Sequence, residues 1–436
     1  MKRKIGAVVA AGVTAAALLL TGCSTTSQTS STSAADKGGT NITLWLNGGD
    51  TPDTLRDYLK KQYADATGGT LTIEEQSWTD ALAKLTTALP DAENTPDVVE
   101  IGNTWSPTFT NAGAFTDISD LYTKLGGSKL LPSFVAAGEV DGKKFALPYY
   151  FGSRYMFYRK DIWAKAGLSV PTTLAEFNSD AAALKTSAQS GFYIGGEDWR
   201  NGVSWIFANG GDLAKKSGSK WESTLSDPKT IEGLTQLQTL YKSSSLAPVT
   251  ESDSTPWVNI NDNETTKKPE AATIIAPGWA HWSIGDLAAD PKDKTKTVAT
   301  WNDTTFGVFT LPGVSGGAAP VFAGGSNIAI SAASKNQAAS KELLKIIFSK
   351  GYQELLGKNG LGPANLDYAS SLGTDEFAKA LIDSASGSKL TPAAPGWAAV
   401  EGSGLLEEFF GKVNGGGDIA ALAATYDKKI DALING

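Results

Sequence analysis

Glu197 and Asp198 stand side by side between Gly196 and Trp199, and paired carboxylates are what glycoside hydrolysis requires. Adjacent residues on an extended chain point to opposite faces, so this pair cannot flank one scissile bond. Gly313-Val-Ser-Gly-Gly317 has the spacing of a nucleophile elbow. That motif needs a strand before it, a helix after it, and Asp and His further on. Here Leu311-Pro312 precedes it, no helical pattern follows, and His281, the only histidine, lies upstream. One histidine and one cysteine, Cys23, rule out the zinc patterns. Neither an EF-hand spacing nor a GxxxxGK[ST] loop occurs. No metal and no cofactor are expected. His281 has no evident nucleophile or orienting acid beside it in sequence. The expectation is that the chain is not an enzyme. The catalytic alternative is a glycoside-acting site in which Glu197 works with an acid from a distant element.

The residues suited to recognition are the tryptophans, of which there are 12. Trp163 and Trp301 read as core. Trp105, Trp199, Trp279, Trp282 and Trp397 stand in polar or glycine-rich surroundings, and both Trp279 and Trp397 follow a Pro-Gly pair. A sugar ring has an apolar C–H face and a rim of hydroxyls. Flat indoles cover the face, and Asp, Glu, Asn and Arg take the rim. Trp279 carries this reading furthest, because it follows the apolar run Ala271–Ile275 at the end of an expected strand, where open α/β sheets bind ligands. His281 and Trp282 are expected to begin the next helix.

Strand and helix patterns alternate around these positions. Residues 41–46, 70–73 and 97–101 read as strands, and 52–66 and 78–89 as helices with Leu55, Leu59 and Tyr63, then Leu82, Leu85 and Leu89, on their stripes. Short links between them imply parallel pairing with helices on both faces. A second block begins at 144–148, and 153–158 is apolar apart from Arg154. Helices are expected at 161–166, 174–184, 231–241, 338–348 and twice in 405–433, with a strand at 192–194. Glu74-Glu75 and Glu407-Glu408 read as solvated surface. A chain of 436 residues exceeds one ordinary core, which predicts an α/β protein of two lobes. Three turns after strands, at 47–50, 102–105 and 276–282, gather polar and aromatic groups where a cleft would lie.

The beginning of the chain is different. A basic head, Met1-Lys-Arg-Lys4, precedes the apolar run Ile5–Leu20 and then Leu20-Thr-Gly-Cys23. This is a secretory leader rather than a membrane span, and its end resembles a bacterial lipobox. The expectation is a signal peptide over 1–22, a lipid on Cys23, and a flexible Ser/Thr tether over 23–39. Loss of Lys2, Arg3 and Lys4 would move the net charge from −8 to −11. Without a basic cluster, nucleic acid is not expected as a partner.

Four segments, in their order and spacing, give the chain a family resemblance. They are Thr95-Pro-Asp-Val-Val-Glu-Ile-Gly102, Phe145-Ala-Leu-Pro148 running to Met156-Phe-Tyr-Arg-Lys160, Ala271–Trp279, and Gly324-Gly-Ser-Asn-Ile-Ala-Ile330 with the helix 338–348. The chain resembles the carbohydrate-binding proteins of ABC importers, extracellular solute-binding family 1, over nearly all of its mature length. The resemblance implies the two-lobed, type II periplasmic-binding-protein (Venus-flytrap) fold with a sugar cleft between the lobes. It places crossings near Gly152, Gly324 and Pro363, one lobe at 40–152 with 324–364, and the other at 153–323 with 365–436. It puts Trp279 and Trp397 on stacking positions, Glu197 on a hydroxyl-binding acid and Trp199 on a nearby aromatic. Asp50, Asn103, Thr104 and Trp105 fall on the sugar-facing turns of the first lobe, and Arg154 on the hinge side, either as a hydroxyl donor or in a structural ion pair. Relatives carry an acid where this chain has Thr104. The implied partners are a di- or oligosaccharide, ABC permease subunits, and the membrane through the lipid anchor, with the chain a monomer on the outer face of the cytoplasmic membrane. A sensor or adhesion subunit without a permease is the alternative. The wording of 100–104 resembles actinobacterial chito-oligosaccharide binders.

Overall fold

The computed structural model describes residues 39–436 except 253 and 254. The leader 1–22, Cys23 and the tether as far as residue 38 lie outside the described residues. The first lobe opens with β1 (Ile42–Asn47), α1 (Asp53–Thr67), β2 (Leu71–Gln76), α2 (Trp78–Ala88), β3 (Val98–Gly102) and α3 (Ser106–Asn111). As the short links require, β1 pairs in parallel with both β2 and β3. The stripe Leu55, Leu59 and Tyr63 buries α1 against this sheet, and Gly68 at φ 77° ends the helix in the left-handed cap that glycine enters without strain. Ser77 starts α2 by accepting a hydrogen bond from the Thr79 amide.

The apolar segments at 144–148 and 153–158 form one strand rather than two. β4 (Ala146–Arg159) runs for 14 residues and belongs to both lobes. After it come α4 (Trp199–Ala208), α5 (Pro228–Ser244), β5 (Thr273–Pro277), β6 (Phe306–Phe309), β7 (Ala323–Ile330), α6 (Gln337–Ile347), β8 (Gly362–Pro363), α7 (Glu376–Gly387), α8 (Trp397–Gly402), α9 (Leu405–Asn414) and α10 (Ile419–Asp431). The first part of β4 pairs antiparallel with β7, from Ala146 opposite Ala329 to Ser153 opposite Ala323, and Gly152 faces Gly324. Its last part pairs antiparallel with β5 and β6. β8 pairs with Tyr150 and Phe151. The sheet order is therefore β6-β4-β7-β3-β1-β2.

One core gathers β1, β3, β7, α1 and α6 around Leu44, Leu46, Val98, Ile328 and Leu343. Another gathers α4, α5, α9 and α10 around Trp205, Leu237, Phe409 and Tyr426. Residues 192–194 are not a strand; a single parallel bridge, Tyr193 to Ile274, ties them to the sheet. The GxSxG segment is a turn, closed by Gly313 N donating to Gly317 O at 2.8 Å. Among the described residues no helix is long and apolar enough to cross a membrane.

Candidate functional site

The turns after β1 and β3 meet at the edge of the first lobe. Asp50 is exposed at the tip of its turn, and its Oδ2 accepts hydrogen bonds from Trp78 Nε1 at 3.0 Å and the Tyr150 hydroxyl at 2.9 Å. Trp78 in turn leans on Trp105, ring to ring at 5.9 Å. Both rings lie over Gly102, where a Cβ would meet them at 3.3–3.4 Å. Asn103 donates its amide to Gly325 O at 3.3 Å, but its buried Nδ2 has no hydrogen-bond partner. Thr104 is half-buried beside it. Beneath these turns sits Glu100, 0% exposed. Its Oε2 accepts from Asn47 N at 2.8 Å and its Oε1 is unpartnered. Burial pushes its carboxyl up to about 8, with the charge of Asp50 adding to the effect, so at neutral pH it holds its proton.

A second group forms around Arg154. This buried side chain donates from Nε to Asn201 Oδ1 at 2.7 Å, and its guanidinium lies 4.8 Å over the Phe322 ring. Trp199 packs on the same phenyl ring at 5.7 Å, lies beneath the Arg200 guanidinium at 4.5 Å, and donates from Nε1 to Glu407 Oε1 at 2.9 Å. The expectation of open indole faces at Trp199 and Trp397 is not met: they are 1% and 0% exposed. Both pack into one apolar core, because α4 and α8 turn these positions inward. Trp397 Nε1 is nevertheless buried without a partner. Glu197 is half-buried; its amide donates to Glu251 O at 2.9 Å, and its side chain lies against Gly411 of α9, where a Cβ would come within 2.9 Å of Glu197 Cγ. Glu407 was expected in water, yet its Oε2 is buried and unpartnered.

The third group is the turn after β5. That strand runs back along β4 until Pro277 stands opposite Arg154, so the chain leaves the sheet beside the middle of β4. Gly278–Ser283 is a 3-10 helix of 6 residues followed by a strand, not the start of an α-helix. The Tyr155 hydroxyl donates to Gly278 O at 3.3 Å. Trp279 is 54% exposed and Trp282 70% exposed. Trp257 supports Trp279 edge-on at 4.8 Å. His281 shares a 2.7 Å hydrogen bond between Nδ1 and Gly278 O, and its ring is held between Trp282 at 3.9 Å and Phe377 at 4.8 Å. Burial holds this imidazole below the usual histidine range, so it stands neutral as a support. Trp301, expected in the core, is only partly buried and donates to Asp303 at 2.6 Å.

The first two groups are joined where α8 meets α3, through Ala398 N donating to Thr108 Oγ1 at 3.3 Å. The third is joined to the second through the β4–β5 pairing. Trp78, Tyr150, Trp257, Arg200 and Glu401 were missed as site neighbours. Two of them carried a signal. Trp78 follows β2 directly, just as the chosen turns follow their strands, and Glu401 lies four residues after Trp397, on the same helix face. Among the described residues, no three His, Cys, Asp or Glu gather in a group that could hold a metal. The arrangement offers two exposed indoles, Trp279 and Trp282, with buried donors and acceptors nearby, which is equipment for binding.

A fold of two lobes joined by a shared strand, with polar and aromatic turns at the junction, defines a solute-binding protein. The family model of bacterial extracellular solute-binding proteins matches residues 59–381, and the chain belongs to that family. It is 34% identical over 409 residues to the diacetylchitobiose binding protein DasA of Streptomyces coelicolor, covering 92% of this chain and 91% of that one. It is 24% identical over 418 residues to a putative binding protein of Brucella abortus. Among solved structures, the sugar-binding protein MalE of Xanthomonas citri aligns with a TM-score of 0.74 at 20% identity, over 91% of this chain and 97% of that one. A cyclo/maltodextrin-binding protein complexed with maltotetraose aligns with a TM-score of 0.72 at 19% identity, over 92% and 98%.

Proposed function

We propose that the chain captures a di- or oligosaccharide outside the cell and delivers it to the permease of an ABC importer, as a monomer tethered by a lipid on Cys23. The observation that carries this reading is Trp279, a half-exposed indole braced edge-on by Trp257 where β5 ends beside the middle of β4. The name of the Streptomyces relative favours N-acetylated, chitobiose-like sugars as the substrate class.

The ligand set is Asp50, Asn103, Thr104, Trp105, Arg154, Glu197, Trp199, Trp279, Trp282 and Trp397. Of these, Trp279 and Trp282 supply faces, and the buried members act through polar atoms or as supports. The lobes divide as 40–152 with 324–364 and 153–323 with 365–436. The facing glycines Gly152 and Gly324 on β4 and β7 support crossings at those points. Binding proceeds without covalent chemistry: sugar settles on one lobe, closure brings the other lobe onto its hydroxyls, and the closed form is recognised by the permease. Closure is driven only by the difference in the sugar's affinity for the two states.

A thermal-shift screen of the full chain tests the reading. A sugar at 100 times its dissociation constant adds about 2.7 kcal/mol of stability. A raised midpoint with one family of neutral sugars is expected. Stabilisation by charged ligands alone would contradict it.

A further inference from the structure

Arg200 holds two carboxylates at once. Its Nη2 donates to Glu401 Oε1 at 2.6 Å, and its Nη1 lies 3.6 Å from Glu407 Oε1, the oxygen that also accepts from Trp199 Nε1 at 2.9 Å. Each carboxylate thus has one oxygen engaged. The other oxygen of each, Glu401 Oε2 and Glu407 Oε2, is buried and has no hydrogen-bond partner. Trp397, one helical turn before Glu401 on α8, is wholly buried and its Nε1–H is likewise unpartnered. Three unpaired polar atoms in one neighbourhood are unusual. A buried donor or acceptor left unpaired is costly, and native structures hold only a few such atoms per hundred residues.

Their surroundings give them a use. α8 reaches α3 of the first lobe through Ala398 N, the residue after Trp397, donating to Thr108 Oγ1, and Arg200 ties Glu401 of α8 to Glu407 of α9. We propose that Glu401 Oε2, Glu407 Oε2 and Trp397 Nε1–H read the polar rim of one sugar unit, two acceptors and one donor, with Arg200 as the positioning residue that turns the free oxygens toward it. This rests on the sugar-binding reading above and adds to it residues that determine specificity. The matching ligand chemistry is a neutral unit presenting donors to both carboxylates and an acceptor to the indole. A 2-acetamido group, through N–H and C=O, and a pair of neighbouring hydroxyls both satisfy this.

Arg200 makes the test clean. In Glu401→Gln the amide oxygen stays on the guanidinium, so the amide NH2 takes the position of Oε2 and an acceptor becomes a donor. Trp199 Nε1 imposes the same orientation on Glu407→Gln. The full chain and both variants are titrated calorimetrically with chitobiose and cellobiose, and their ligand-free melting is recorded. The expected result is affinity weakened by about tenfold or more, in line with hydrogen bonds to charged groups, with the ligand-free midpoint moved by less than about 2 °C. Loss confined to chitobiose assigns the pocket to the acetamido group, and equal loss on both sugars assigns it to hydroxyls. Undiminished affinity in both variants, or a loss that only follows a falling midpoint, overturns the inference. Failure of the unaltered chain to bind any sugar would instead overturn the reading beneath it.

Discussion

Trp279 leaves more than half of its surface in water while Trp163, Trp199, Trp205 and Trp397 are buried almost completely. Its exposure therefore reflects its position past β5, not a shortage of core. Trp279→Ala is expected to weaken sugar binding by about 1–3 kcal/mol, the range for aromatic anchors, while the unfolding midpoint without ligand stays close to that of the unaltered chain. Titration calorimetry beside a melting curve checks both halves. Glu100 makes a prediction about pH. Its carboxyl titrates at about 8 in the folded chain against an ordinary 4.5, so between those values the folded state binds the proton more tightly than the unfolded state. Its contribution to stability is full below the ordinary carboxylate value, falls as pH rises toward 8, and is constant beyond. Glu100→Gln removes this dependence and is expected to gain about 1–3 kcal/mol on the unaltered chain between pH 5 and pH 8. Urea unfolding at the two pH values measures it; parallel loss in both proteins would contradict the assignment.

At the scale of elements, the junction rests on β4 and β7. Gly325 sits at φ 132°, and a Cβ there would meet Tyr150 O at 2.5 Å. Gly324, its neighbour, has nothing within 4 Å of a built Cβ. Gly325→Ala is expected to destabilise the fold by about 1–3 kcal/mol through backbone strain and collision. Gly324→Ala should stay within about 1 kcal/mol, so equilibrium unfolding of the pair separates conformational need from mere smallness. The same elements show what the sequence makes legible. The apolar run at 97–101 and the stripe 55, 59, 63 carry strong periods, and β3 and α1 lie where those periods predict. The segments 144–148 and 153–158 were noted as apolar without being joined, whereas the pairing with β7 carries one strand through Gly152 and Ser153. Trp199 and Trp397 were read as open faces because polar and glycine neighbours suggest a surface. Their helices instead turn them into the core, a fact set by tertiary packing. Glu407 failed in the opposite direction: a pair of glutamates looks solvated until Trp199 and Arg200 hold one of them inward.

For the whole molecule, one long strand contributes to both large cores, through Leu147 to the one around Leu44 and through Met156 to the one around Trp205. Hinge closure around a ligand needs only a few residues between two packed bodies to absorb a change in backbone angles. The α/β class, the parallel pairing and the two lobes were legible in the order of elements and the length of the chain, and the crossings and the cleft only through the family resemblance. The pairing of carboxylates around Arg200 was not, because it depends on three elements far apart in sequence. The central claim is that the junction binds a neutral sugar. Titration calorimetry of the full chain with chitobiose, beside cellobiose, maltose and a charged amino acid, tests it most directly. Saturable binding of one neutral sugar family is expected, at one molecule per chain and with a dissociation constant near micromolar, about −8 kcal/mol. Saturable binding of the charged ligand, with no heat from any neutral sugar, would contradict it.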